Sequence, residues 1–199
     1  MSRGIGDVYK RQGKIKDKIK FNTRVVGTTF QNGKFEVNYQ DKVNDKILTD
    51  KFDYVVVSTG HFSVPFIPEY KGMNSFPGRI MHSHDFRDAE EFRNKNVIVL
   101  GSSYSAEDVA PQCNKYGAKS VTIGYRHNPM GFKWPKGMKE VHYLDRLEGK
   151  KAIFKDGTEQ EADVVILCTG YLHHFPFLEE SLQLKLSLIH ISEPTRHRL

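Results

Sequence analysis

Residues 96–106 read Asn96-Val97-Ile98-Val99-Leu100-Gly101-Ser102-Ser103-Tyr104-Ser105-Ala106, and the fold turns on this stretch. An apolar, largely β-branched run that stops at a glycine is the pattern of a strand buried on both faces. From Ala106 to Tyr116 the composition is helical, and Gly117 closes the segment. Lys119-Ser120-Val121-Thr122-Ile123-Gly124-Tyr125 is the next strand-like run. Strand, tight turn, helix and strand over about 30 residues make a βαβ unit, whose two strands are parallel neighbours. The expected class is therefore α/β with a Rossmann-like parallel sheet.

The turn itself has chemistry. Gly101 to Ala106 stands where a G-x-G-x-x-G/A dinucleotide fingerprint would stand. Gly101 allows the tight turn, and the small Ala106 lets helix and strand approach. Ser103 replaces the middle glycine; it stays small and adds a hydroxyl donor, so the helix N-terminus can still hold an anion. Ser105 reads as the helix N-cap. Strand-glycine-helix turns occur in many folds, so the motif alone leaves a purely structural role open. The end of the second strand discriminates. An Asp or Glu there would bind a ribose 2′-hydroxyl, but the residues are Tyr125, Arg126 and His127. Arg126 suits the 2′-phosphate of NADP through charge-assisted hydrogen bonds; a solvated surface arginine is the alternative.

Outward from this unit, Ile19 to Val57 reads as antiparallel strands. Phe35-Glu36-Val37-Asn38-Tyr39 alternates apolar and polar side chains after the turn signal Gln31-Asn32-Gly33. Phe52-Asp53-Tyr54-Val55-Val56-Val57 is denser, as for a strand covered on both faces, and runs into Ser58-Thr59-Gly60-His61. Residues 62–78, with Pro65, Pro68, Pro77, Gly72 and Gly78, read as a connector. Further on, Lys151 to Phe154 and Gln160 to Leu167 flank the turn Asp156-Gly157 and suggest a hairpin. Its second arm ends at Cys168-Thr169-Gly170-Tyr171, so two apolar runs stop at a Thr-Gly pair, 59–60 and 169–170.

Composition excludes several classes. The chain has 199 residues, 38% hydrophobic and 27% charged, enough for one full core or two small ones, with mean hydropathy −0.54. No apolar run approaches the roughly 20 residues that span a bilayer. Two cysteines, Cys113 and Cys168, form neither a disulfide framework nor a C-x-x-C pair, which points to a reducing compartment, the cytoplasm. Residues 2–12 and 186–196 read like translated sequencing-adapter sequence, so segments 1–12 and 186–199 are expected to be foreign to the protein. They carry +2 and +1 of the formal +6, and the remaining +3 is no argument for nucleic acid or an anionic membrane surface. His82 and His84 have no further ligand at metal spacing, so no metal is expected.

Just before the βαβ unit stands Phe76-Pro77-Gly78-Arg79-Ile80-Met81-His82-Ser83-His84-Asp85-Phe86, which fits F-x-G-x-x-x-H-x-x-x-(F/Y). Together with Gly101–Asp108, Met130-Gly131-Phe132-Lys133-Trp134-Pro135 and Cys168 to Phe177, it resembles the flavin-containing monooxygenase family, in its bacterial branch that oxygenates trimethylamine. The resemblance covers residues 13–185. Phe86 stands where the related Baeyer–Villiger enzymes carry Trp, which argues against a ketone-oxidising relative.

The resemblance implies an enzyme in which NADPH reduces FAD and the reduced flavin activates O2 for transfer to an amine or sulfide. It implies a truncated plan of two dinucleotide-binding domains: a partial FAD domain with a β-meander at 13–66, an NADP domain at 67–167 with a linker at 67–94, and a return into the FAD domain at 168–185. By the same resemblance, Ser102, Ser103, Ser105 and Arg126 would contact NADP, and Val25 would hold the FAD adenine by its backbone. Thr59-Gly60 and Thr169-Gly170 would be the crossings between domains. Tyr104 would lie near the nicotinamide and the oxygen-activating pocket, or simply pack beside the turn. His82 would be a structural signature residue, His173 and His174 would line the return, and Trp134 would pack the loop after Arg126. The glycine-rich FAD turn and the substrate pocket are expected outside 13–185, in a full-length protein that could be a homodimer. The piece alone is then expected to be inactive; an NADP-binding module without turnover, or a Baeyer–Villiger-type flavin monooxygenase, is the alternative.

Overall fold

The computed structural model describes residues 16–183, so the expectations for 1–12 and 186–199 lie outside the described residues. The described chain packs as two units, one holding the residues up to Thr59 and those from His173 onward, the other Gly60–Leu172.

The first unit is built on an antiparallel meander of β1 (Thr23–Gln31), β2 (Lys34–Asp41) and β3 (Lys46–Phe52). Asn32 and Gly33 close the first hairpin with φ of 51° and 75°, as the turn signal before Phe35 predicts. Val37 and Tyr39 point to the buried face. The segment after His173 returns along β1: the Glu179 amide donates to the Thr28 carbonyl at 3.0 Å, and the Phe30 amide donates to Glu179 Oε1 at 2.9 Å. One expectation fails here. The ladder stops at Phe52, and residues 53–57 are not a strand covered on both faces: Tyr54 is 87% and Val56 86% exposed. β-Branched composition favours an extended backbone but cannot bury it. Among the described residues no strand lies alongside to take up its backbone hydrogen bonds.

The second unit contains, in chain order, β4 (Val64–Pro65), β5 (Arg79–His82), β6 (Asn96–Leu100), α1 (Tyr104–Lys115), β7 (Ser120–Tyr125), β8 (Met138–His142), β9 (Leu144–Glu148), β10 (Lys151–Phe154), β11 (Glu159–Glu161), β12 (Val164–Leu167) and β13 (Tyr171–Leu172). Five of them form one sheet in the order β5-β12-β6-β7-β8, every neighbouring pair parallel. The βαβ unit is there, with β6 and β7 in register from Asn96↔Ser120 to Leu100↔Gly124.

Alternation along the central strands divides the core. Val97, Val99, Val121, Ile123, Val164 and Ile166 face α1, meeting Ala106, Val109, Ala110 and Cys113. Ile98, Leu100, Val165 and Leu167 face the other way, onto Leu144, Leu147, Ala152 and Phe154 of the antiparallel trio β9-β10-β11. Each such aliphatic side chain contributes about 1.5–3 kcal/mol by leaving water. A sheet covered on both faces needs near-continuous apolar strands, which is what the sequence shows.

The hairpin reading needs correction. Its second arm is only β11, and Val164–Leu167 is not part of it; β12 sits inside the parallel sheet between β5 and β6. Asp163 makes the break. Its amide donates to the Asn96 carbonyl at 2.9 Å, and its carboxylate accepts from the Asn96 amide at 2.9 Å and from Asn96 Nδ2 at 3.1 Å. These bonds hand the chain from one sheet to the other.

Candidate functional site at the carboxyl edge of the parallel sheet

β6 ends against its two neighbours. The Gly101 amide donates to the Gly124 carbonyl at 2.9 Å, and the Cys168 amide donates to the Leu100 carbonyl at 2.8 Å. Gly101 has φ +134°, and a β-carbon on it would lie 2.2 Å from the Cys168 carbonyl oxygen. Only glycine fits, for both conformation and space. The serine turn therefore starts pressed onto the end of β12, with Thr169-Gly170 immediately beyond, and Arg126 follows the last residue of β7 next door. Turn, arginine and second Thr-Gly pair share the carboxyl edge of the sheet, where open parallel sheets bind their ligands.

The helix begins two residues earlier than expected. Ser103, not Ser105, is the N-cap: it is extended (φ −134°, ψ −172°), and its carbonyl accepts the Ala106 and Glu107 amides at 2.8 and 3.0 Å. Ser105 instead lies in the first helical turn, because the chain can take helical dihedrals as soon as it clears Gly101. The Ser103 hydroxyl makes no capping bond and is exposed, so it stays available to a ligand. Ser102 and Ser105 are half-buried. The amides of the first two helical residues, Tyr104 and Ser105, precede every intrahelical acceptor, and the helix dipole adds positive potential there. Tyr104 stands 84% exposed at the first helical position, so packing beside the turn is not what holds it.

Arg126 is exposed and makes no ion pair among the described residues. The loop after it is fixed by Glu140, whose carboxylate accepts the Met130 amide at 2.6 Å and the Gly131 amide at 3.1 Å. Trp134 is half-buried against the α1 side of the core, edge-on to Phe132 at 5.3 Å.

The signature segment is explained position by position. Phe76 is buried, and a β-carbon on Gly78 would fall 2.4 Å from the Asp163 carbonyl oxygen. Phe86 stacks on Phe92 at 6.1 Å. His82 is 2% exposed and clamps the second Thr-Gly pair. Its Nδ1 accepts the His84 amide at 3.0 Å, so the proton sits on Nε2, which donates to the Gly170 carbonyl at 2.9 Å. Burial lowers the His82 pKa, keeping the ring neutral. With both nitrogens engaged, His82 has none left for a metal, and no group of three or more potential metal ligands occurs among the described residues. The Gly170 carbonyl also accepts the Phe66 amide at 2.9 Å, and Thr169 Oγ1 donates to the Phe66 carbonyl. β4 and β13 pair alongside. Sequence reasoning named both His82 and Gly170 but could not join residues 88 positions apart.

Burial pushes the thiols of Cys113 and Cys168 up to about 12, so neither is a ready redox nucleophile. Val25 lies in the first unit on β1, beside a bulge that shifts register between Val25 and Gly27. Thr59 and Gly60, both exposed, stand where the two units divide, with Gly60 at φ +74°. Among the described residues no helix is long and apolar enough to cross a membrane.

Comparison with known proteins agrees with this geometry. The family model described as flavin-binding monooxygenase-like matches residues 7–130 and 137–192. The trimethylamine monooxygenase of Pelagibacter sp. strain HTCC7211 is 87% identical over 181 residues, which cover 91% of this chain and 40% of that protein. The crystal structure of Tmm from the same strain superposes with a TM-score of 0.80 at 85% identity, covering 89% of this chain and 40% of that one. The S-allyl-L-cysteine S-oxygenase of Allium sativum gives a TM-score of 0.74 at 30% identity, covering 88% and 41%. The chain thus spans about 40% of the length of these relatives. On this fold, this edge and these matches, the chain belongs to the flavin-binding monooxygenase-like family.

Proposed function

We propose that this chain is the NADP-binding part, with a portion of the FAD-binding part, of an NADPH- and FAD-dependent monooxygenase that oxygenates soft nucleophiles. Small tertiary amines such as trimethylamine, converted to the N-oxide, are its expected substrates, in keeping with relatives named trimethylamine monooxygenase. The observation that carries the reading is the shared edge: a turn that admits only glycine at 101, an exposed Ser103 hydroxyl that makes no capping bond, and on the adjacent strand end Arg126, which forms no ion pair among the described residues.

That edge suits a phosphorylated dinucleotide. The absence of a β-carbon at Gly101 lets the backbone turn sharply between β6 and α1. The hydroxyls of Ser102, Ser103 and Ser105 and the first-turn amides of α1 would donate to the pyrophosphate. Arg126 would hold the 2′-phosphate as a planar, always-charged donor. Tyr104 would border the nicotinamide end, and Val25 would meet the FAD adenine through its backbone. Thr59-Gly60 and Thr169-Gly170 would carry the chain between the two cofactor domains, the second held by His82. Bound flavin supplies the oxygen-activating chemistry; the residues here bind and orient the nicotinamide cofactor that reduces it. A cytoplasmic setting accords with two free, buried cysteines.

Similarity to an S-oxygenase supports a sulfide as the second class of substrate. The test is a chimera in which residues 16–183 replace the matching segment of the Pelagibacter HTCC7211 enzyme. Trimethylamine-dependent NADPH consumption with N-oxide formation is expected, while the 199-residue chain alone is inactive. A folded, flavin-loaded chimera that ignores both amine and sulfide overturns the assignment.

A further inference from the structure

Beside Arg126 opens a cavity of about 400 Å³ whose walls come from separate elements. Arg126 and His127 follow β7, His142 and Tyr143 come from the end of β8, and Lys155 sits at the tip of the hairpin between β10 and β11. Phe66 and Pro68 add an apolar side.

The hairpin tip is fastened to this cavity. The Lys155 amide donates to the Tyr143 carbonyl at 2.9 Å, and the His142 amide donates to Asp156 Oδ2 at 3.2 Å. Asp156, the neighbouring carboxylate, is taken up by backbone amides, accepting Thr158 at 2.9 Å as well. Neither Arg126 nor Lys155 forms an ion pair among the described residues. Two unpaired cations around one cavity leave positive charge that an anion would neutralise. The Tyr143 ring and the Phe66–Pro68 side offer the flat, apolar surface that a nucleobase needs.

We propose that Lys155 is a second cation for the 2′-phosphate of NADP. The preference for NADP over NAD is then set jointly by the strand-end arginine and by a lysine delivered from the antiparallel trio across the sheet. This rests on the nucleotide reading of the Gly101 turn. The two cations differ in kind: Arg126 offers a planar fork that fixes orientation, whereas Lys155 offers a point charge on a flexible stem.

The test titrates the 199-residue chain with adenosine 2′,5′-bisphosphate and with 5′-AMP by calorimetry. Lys155→Ala should weaken the bisphosphate about tenfold, roughly 1.4 kcal/mol, and leave 5′-AMP within twofold. Lys155→Arg should restore most of the loss. Lys115→Ala, at the far end of α1, should change neither ligand. If Arg126→Ala weakens the bisphosphate but Lys155→Ala does not, the lysine assignment is wrong and the nucleotide reading stands. Equal loss of both ligands in Lys155→Ala makes the lysine merely structural and also refutes it. If the unsubstituted chain shows no preference for the bisphosphate, the nucleotide reading falls, and this inference with it.

Discussion

Replacing Gly101 by alanine is the sharpest structural perturbation the site offers. The new β-carbon would lie 2.2 Å from the Cys168 carbonyl oxygen and 3.0 Å from its carbon. Both are backbone atoms, so no side chain can swing away. Relief requires β6 and β12 to part by about 1 Å at their carboxyl ends, which strains the Cys168–Leu100 and Gly101–Gly124 hydrogen bonds of 2.8 and 2.9 Å. Overpacking of this kind costs about 1–3 kcal/mol, and a non-glycine residue at φ +134° adds about 1–3 kcal/mol. Together the loss is about 2–6 kcal/mol, a large part of the roughly 5–15 kcal/mol that holds a domain folded. Gly157→Ala isolates the conformational part, since φ is +83° there and a β-carbon meets nothing within 4 Å; it should cost only about 1–2 kcal/mol. Urea unfolding followed by circular dichroism measures both. At a slope of about 2 kcal/mol per molar urea, Gly101→Ala should lower the midpoint by roughly 1–3 M. If the two alanine variants unfold within 0.5 M of each other, the close approach of turn and β12 is not real.

Other consequences are open to direct measurement. His82 is neutral and its pKa is lowered by burial, so the unfolded chain takes up a proton first as pH falls. Stability from this group is full above about 6.5 and declines as pH drops through the unfolded value toward the folded one; urea midpoints from pH 8 to 5.5 should show this, and His82→Gln should flatten the profile. An unchanged profile in that variant removes His82 as the titrating clamp. Asp163→Ala strips the acceptor from the Asn96 amide and Nδ2, and should lower stability by about 1–3 kcal/mol in a thermal melt. Hydrogen bonding by Asn96 holds that carboxyl below its usual range, so its contribution persists above about 3.8 and is lost in stronger acid. Cys113 and Cys168, with thiols raised to about 12, should resist a disulfide-exchange reagent at pH 8 until urea is added; rapid labelling of the native chain contradicts the packing of the α1 face.

Much of the edge was readable because its cause is local. Val97 to Leu100 announce a strand buried on both faces, and Gly101 announces a turn that no other residue makes. What the sequence could not reveal is pairing across distance. Val164–Leu167 looked like a hairpin arm since Asp156-Gly157 precedes it; the handover to the parallel sheet depends on Asp163 finding Asn96, 67 positions away. The run at 53–57 has strand composition but no described neighbour to pair with, and composition cannot supply one. Ser105 looked like the cap because serine is a good one; backbone freedom directly after Gly101 gave that place to Ser103. The role of His82 hid in a motif that resemblance could flag but not explain, since its acceptor, Gly170, belongs to another element.

The central claim is that the serine turn and Arg126 together seat a 2′-phosphorylated nicotinamide dinucleotide. Calorimetric titration of the 199-residue chain and its Arg126→Ala variant with NADP⁺ and NAD⁺ addresses it directly. A charge-assisted contact worth about 1.5–3 kcal/mol corresponds to roughly 10- to 150-fold, so the unsubstituted chain should prefer NADP⁺ by at least tenfold and the variant should lose that preference while still binding NAD⁺. Equal affinity of the unsubstituted chain for both dinucleotides, or a preference that survives in Arg126→Ala, contradicts the account.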